Sequence, residues 1–228
     1  MSSVNSRSLS VIQTSVWALT AAQVRDQAAS ISPTPGGGSI SIITATLGLA
    51  LVHKGASISL KRSRDDSNRL ENLVDLCAGV SSSIAALSSL ADADSRAYQS
   101  YLEARSLPRA TEAEKSVRRA SMEADLLRAT QIPLTSAAEM CRALELAETS
   151  IKLSDGHLLS DIFAGALLIR AAVQGVLLNV DANLSGISDA GIQAATKRER
   201  VELEGASIAR GEAIAQAYQT RISASTDS

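Results

Sequence analysis

The stretch Leu159–Leu184, LSDIFAGALLIRAAVQGVLLNVDANL, decides how this chain folds. Its apolar residues continue for about seven helical turns at three- and four-residue steps, with no proline to stop them. A helix apolar over most of its circumference belongs in the middle of a bundle. At about 100° per residue, Asp161, Gly165, Leu168, Ala172, Gly175 and Asn179 fall along one stripe, small in the middle and polar at both ends, with Asn183 one turn further on. That stripe invites close approach by another helix, from the same chain or from a second copy. Asp161 and Asn179 are about 27 Å apart along a straight helix, so one chain cannot bring both to one reacting atom, whereas a two-fold axis near Arg170 can. Taken alone, Asp161 is more simply a carboxylate favoured by the helix dipole.

The rest of the chain reads the same way. Proline occurs only at 33, 35, 108 and 133, which leaves long helices permitted on both sides. Leu9, Ile12, Val16, Leu19 and Val24 predict a first helix that stops near Ser30, before the loop SPTPGGGS. A second runs from about Ser39 to Leu60 and turns basic at Lys54, Lys61 and Arg62. Leu70, Leu73, Val74, Cys77, Val80, Ile84, Leu87 and Leu90 lead into DADSRAYQSYLEARS, a third helix of about 40 residues with a kink expected near Gly79. Leu107-Pro108 ends it. Thr111 and Glu114 form a capping box for a fourth helix, and Gln131-Ile132-Pro133 is expected to interrupt or kink the segment before a fifth that ends near Leu153. SDGH is a loop, Leu159–Leu184 follows, and Ile192, Val201, Leu203, Ile208 and Ile214 mark a more charged last helix. The expectation is an all-α, long-helix bundle forming a single domain over residues 1–228.

Composition agrees. The 228 residues are 45% apolar but only 2% aromatic, so core volume comes from Ala, Leu, Ile and Val at close spacing, which favours helices over a sandwich. Twenty-two basic and 24 acidic residues leave a net charge of -2, without the basic footprint that phosphate backbones require, and nucleic acid is not an expected partner. Cys77 and Cys141 lie far apart with no metal-ligand spacing and read as free thiols in a reducing compartment. His53 and His157 form no helical ligand pair and no Glu-x-x-His motif occurs, so neither metal nor other cofactor is expected. Gln13, Thr14 and Ser15 break the N-terminal apolar pattern, which argues against a signal peptide. Ile40–Val52 is too short to span a bilayer and Leu158–Val180 carries Asp161 and Arg170, so a soluble cytoplasmic protein without membrane contact is expected.

The unusual local feature is Ser32-Pro33-Thr34-Pro35-Gly36-Gly37-Gly38-Ser39, directly before an apolar helix. Proline fixes the entering chain and three glycines remove every Cβ, so N–H groups at a helix N-terminus can approach a ligand closely. The loop lacks the Lys-Ser/Thr ending of a phosphate-binding P-loop and follows a helix, not a strand. The plainer alternative is a tight helix–helix turn in which the glycines permit close packing.

Together with that loop, several segments resemble the formiminotetrahydrofolate cyclodeaminase and methenyltetrahydrofolate cyclohydrolase family over roughly residues 9 to 190. They are PTPGGGS at 33–39, the Asp94 to Tyr98 segment leading to Arg105-Ser-Leu-Pro108, TEAEK at 111–115, Ile132-Pro133-Leu134, Ser160-Asp161 and Asn179-Val-Asp-Ala-Asn183-Leu. The resemblance implies a helical homodimer acting on a tetrahydrofolate derivative, with the folate as substrate and not as cofactor. Both family reactions pass through a tetrahedral carbon at N5 and N10, which asks for a carboxylate to hold positive charge and move a proton, and for amides or hydroxyls to fix the pteridine edge. Asp161, in the matching Ser-Asp pair, is the expected catalytic carboxylate, and Asp94 is the reserve. Ser32, Pro35, Gly36, Gly37, Gly38 and Ser39 are expected to place the substrate, with Asn179 and Asn183. Lys54, Lys61 and Arg105 are candidates for the glutamate carboxylates, although each also reads as a solvated helix charge. The chain has no stretch left for a formiminotransferase domain, which favours the cyclohydrolase as the expected activity. The alternatives are the ammonia-releasing cyclodeaminase and, of another kind, a non-catalytic helical dimer.

Overall fold

A computed structural model describes residues 15–63 and 66–226, and within them the regular structure is helical throughout. Six α-helices follow in order: α1 (Ala21–Ala28), α2 (Gly37–Arg62), α3 (Ser67–Ser106), α4 (Glu112–Leu153), α5 (Leu159–Leu184) and α6 (Ala190–Thr226). Short connections force α2, α3, α4 and α5 to alternate in direction. Each packs on the next and α5 closes back on α2, giving a four-helix ring, with α6 laid over α4 and α5. The core inside the ring is built from small and branched aliphatic residues, among them Ile42, Leu49, Leu73, Leu87, Leu144, Ile169 and Val176.

The stripe on α5 is filled from within the chain. A Cβ at Gly165 would stand 2.4 Å from the Gly48 carbonyl oxygen, and one at Gly48 would stand 2.6 Å from that of Gly165. Gly175 meets Ser41 in the same way, 2.5 Å from its Oγ. Glycine is therefore what lets the antiparallel α2 and α5 touch backbone to backbone. Of the two occupants the stripe allowed, α2 of the same chain takes it.

Three further expectations change. Val16–Ala18 is a single 3₁₀ turn and α1 starts only at Ala21, because Thr20 and Gln23 form a capping box there. The preceding turn is held to α3 instead, where Ser15 Oγ and the Val16 N–H donate to Asp92 at 2.7 and 2.9 Å. Leu9 and Ile12 lie outside the described residues. Secondly, α4 continues through Pro133 as one helix of 42 residues, so the predicted fourth and fifth helices are one. Lastly, α2 reaches 26 residues, and the length argument made from Ile40–Val52 no longer holds. Gly37–Arg62, Ser67–Ser106 and Gly156–Leu184 are each long and apolar enough to cross a membrane by length and composition.

Candidate active site

The residue that precedes α2 in the cap position is Gly36, whose missing side chain cannot cap the first turn. The cap comes from α3: Asp94 accepts the Ser39 hydroxyl at 2.7 Å and also the Ser39 backbone N–H. A carboxylate here faces the positive end of the α2 dipole. Ser39 and Ser95 share a further hydrogen bond of 2.9 Å, and both side chains are buried. A Cβ at Gly38 would lie 2.7 Å from both Asp94 oxygens, so only glycine admits the carboxylate. Burial pushes the Asp94 carboxyl above its ordinary value, and the two Ser39 hydrogen bonds pull it part of the way back.

These groups wall a cavity of about 330 Å³ at one end of the ring. The loop contributes Pro33, Thr34 and Gly36; the first turn of α2 contributes Gly38 and Ser39; α3 contributes Asp94, Ser95 and Tyr98; α4 offers Ala129; and α5 offers Asn179, Ala182 and Asn183. Chain alternation explains the gathering, since the start of α2, the later part of α3, the middle of α4 and the end of α5 all come to the same end of the bundle. The mixture is one ionisable carboxyl, two amides, a phenol and hydroxyls around a concave space, which can bind a flat polar heterocycle and move one proton.

Other residues singled out in the sequence sit differently. Asp161, at the start of α5, forms an ion pair of 2.7 Å with Lys54, both partly exposed and far along the ring from the cavity. Within one chain the structure therefore separates Asp161 from Asn179, as helix geometry requires. Ser32 is exposed and donates to the Thr34 carbonyl, ordering the loop without lining the cavity. Pro35 is buried after a cis peptide bond. A Cβ at Gly37 would meet nothing within 4 Å, so close approach does not require glycine there. Arg105 is exposed at the end of α3, where its carbonyl accepts from Arg118. Pro33, Thr34, Ser95, Tyr98, Ala129 and Ala182 line the cavity without having been singled out as site residues; of these, Ser95 and Tyr98 follow most simply from the sequence, as the neighbours of Asp94 on the same helix.

Asn183 has a second duty that explains why α4 passes Pro133 unbroken. Proline has no N–H for the carbonyl four residues back, that of Ala129, and Asn183 Nδ2 donates to that oxygen at 3.0 Å. Asn183→Ala is thus expected to leave a partly buried carbonyl unpaired and to lose about 1–3 kcal/mol of stability. In a Pro133→Ala background the helix regains its own donor and the same change should cost much less. Urea titration of the four proteins measures the coupling; equal costs in the two backgrounds would remove this role.

Known proteins agree with this architecture. Residues 20–202 match the formiminotransferase-cyclodeaminase family profile. The formimidoyltransferase-cyclodeaminase of Gallus gallus is 32% identical over 164 residues, 69% of this chain, and the chain spans only 29% of that protein's length. A methenyltetrahydrofolate cyclohydrolase from Methylorubrum extorquens is 28% identical over 86% of this chain and 92% of its own. In three dimensions, the formiminotetrahydrofolate cyclodeaminase of Thermotoga maritima superposes with a TM-score of 0.80 at 20% identity, over 91% of this chain and 99% of that one. Since the family match takes in the glycine loop, all four ring helices and every residue of the cavity, the chain belongs to the formiminotransferase-cyclodeaminase family.

Proposed function

We propose that the chain hydrolyses 5,10-methenyltetrahydrofolate to 10-formyltetrahydrofolate, with Asp94 as the group that moves the proton. The observation that carries this reading is a carboxyl of raised pKa, fixed by Ser39 at the mouth of a helix and aimed into a cavity that also offers Asn179, Asn183 and Tyr98. A cation is a good ligand for such a site. The methenyl carbon carries delocalised positive charge between N5 and N10, and the ionised Asp94 favours it electrostatically. Water adds to that carbon as Asp94 takes one of its protons. The resulting hydroxyl then loses its proton while the carbon–N5 bond breaks, and N5 is protonated by Asp94, leaving the formyl group on N10 and releasing one net proton. The step asks for no metal or redox group.

The match to the M. extorquens cyclohydrolase, which takes in 86% of the chain, supports this choice. The higher identity to the G. gallus enzyme keeps the cyclodeaminase as the second reading, in which N10 attacks a 5-formimino carbon and ammonia leaves. One assay separates them: loss of the methenyl chromophore beside ammonia release from 5-formiminotetrahydrofolate. Hydrolysis well above the uncatalysed rate is expected. Ammonia release without it moves the assignment to the cyclodeaminase, and a helical scaffold of the non-catalytic kind would do neither.

The same proposal includes a soluble cytoplasmic homodimer joined through α2 and α5. Leu47 on α2 and Leu167, Leu168 and Leu178 on α5 are 57%, 50%, 39% and 64% exposed, an apolar face on two adjacent helices. The Lys54–Asp161 ion pair belongs to those helices and suits water better than lipid. Leu47 lies midway between Ser39 and Lys54, and Leu168 near the middle of the span from Asp161 to Asn179. A two-fold axis through that patch would carry the second copy's ion pair toward the first copy's cavity.

A further inference from the structure

Next to the cavity lies a second, larger depression of about 530 Å³. The elements that wall both pass from one to the other within three residues: Tyr98 to Tyr101 on α3, Ala129 to Leu126 on α4, and Asn183 to Gly186 at the end of α5. Three helical residues advance about 4.5 Å, so the two spaces lie next to each other along the same three elements.

Their linings are opposite in character. Asp94 is the charged residue of the cavity wall, whereas the groove is lined by Arg109, Lys115, Arg118 and Arg119 against one acidic residue, Glu123. A chain with a net charge of -2 has therefore gathered four cations around one depression. Lys115, Arg118 and Arg119 occupy one face of α4 at three- and four-residue spacing, an arrangement whose like-charge repulsion a bound anion would relieve. Lys115 is in part neutralised by Glu112 at 2.7 Å. Arg118 is oriented by its Nε, which donates to the Arg105 carbonyl at 3.0 Å and leaves its terminal nitrogens for another acceptor. Tyr101, Met122 and Leu126 supply an apolar floor between the cations and the cavity mouth.

The substrate of the proposed reaction is polar in the same order. Its reacting end is a cationic heterocycle, its middle is an uncharged aromatic ring, and its anionic groups, the glutamyl carboxylates, all lie at the far end. We infer that the groove lined by Arg109, Arg118 and Arg119 receives the glutamyl carboxylates of the folate whose heterocycle occupies the Asp94 cavity. This rests on the folate reading above, and it relocates the tail from the residues that sequence offered. Lys54 is engaged with Asp161, and Arg105 meets the groove through its carbonyl. Charge-assisted bonds from guanidinium to carboxylate supply the recognition.

The test compares 5,10-methenyltetrahydrofolate with the same heterocycle and benzoyl group lacking glutamate, in the full chain and in its Arg118→Gln/Arg119→Gln variant. For the wild type, kcat/KM is expected to favour the glutamyl substrate by about tenfold or more, mainly through KM, with the preference shrinking as salt is raised. In the double variant the ratio should fall close to one, while far-UV circular dichroism reports an intact helical fold. Equal use of both substrates by the wild type overturns the inference and leaves the folate reading standing, as does a ratio unchanged in the variant. A wild type that turns over neither substrate and releases no ammonia from 5-formiminotetrahydrofolate removes both.

Discussion

Asp94→Asn is expected to lower turnover of the methenyl substrate by about a hundredfold or more while leaving the protein folded and no less stable at neutral pH. The amide fits where the carboxylate was, because its oxygen can still accept from the Ser39 hydroxyl and N–H, and it removes no packing. What it loses is the ability to take and return a proton. Burial raises the Asp94 pKa above the ordinary value of 3.8, so the folded protein holds this proton more tightly than the unfolded chain does. The contribution to stability is then greatest below the ordinary carboxylate value and is lost as pH rises through the raised one. Above the raised value the wild type carries the full cost of an ionised buried carboxyl, and the Asn variant does not. Its thermal midpoint should therefore rise relative to wild type as pH climbs from the ordinary carboxylate value through the raised one. Wild-type kcat/KM should rise with pH through a single ionisation above the usual carboxylate range, and the Asn variant should lose that limb. Turnover near normal in Asp94→Asn would take the residue out of the mechanism, and a variant that melts early across the whole pH range would make its role structural.

The helices were legible because their signals are local. Periodicity, the Thr111 capping box and the Leu107-Pro108 stop all act within a few residues of where they are read. The failures come from groups that meet across the bundle. Pro133 is a helix breaker in any local reading, and what cancels it is an amide 50 positions later, Asn183. The glycine loop was recognisable as unusual, yet the need for Gly38 in particular is set by Asp94 on another helix. Asp94 itself lies in a stretch of polar residues on α3 and nothing in its own neighbourhood marks it as buried; only the open N-terminus of α2 draws it in. Asp161 drew attention because it borders an apolar helix, but Lys54 lies across from it once α2 and α5 run antiparallel. The cationic groove stayed unread for a similar reason, since Arg109 to Arg119 look like an ordinary solvated face until Tyr101 and Gly186 are seen to share one depression with them.

Mixing two inactive proteins tests whether Asp161 belongs to the site after all. If the exposed α2 and α5 face joins two copies about a two-fold axis, each cavity lies near the other copy's Lys54–Asp161 pair, and Asp161→Asn alone should impair turnover although its own chain's cavity is untouched. In a heterodimer of an Asp94→Asn chain with an Asp161→Asn chain, one of the two cavities combines both changes and the other combines neither. After full exchange about half of the dimers are mixed, each with one intact site of two, so activity should return to about a quarter of the wild-type level. The recovery should vanish when Leu47→Glu is added to both chains, because a charge at the middle of the apolar face opposes its own copy across the axis. Near-normal turnover in Asp161→Asn would reduce that residue to the surface partner of Lys54, a role worth at most about 1 kcal/mol of stability. An active protein of monomeric mass would dispose of the dimer and leave the Asp94 cavity complete within one chain.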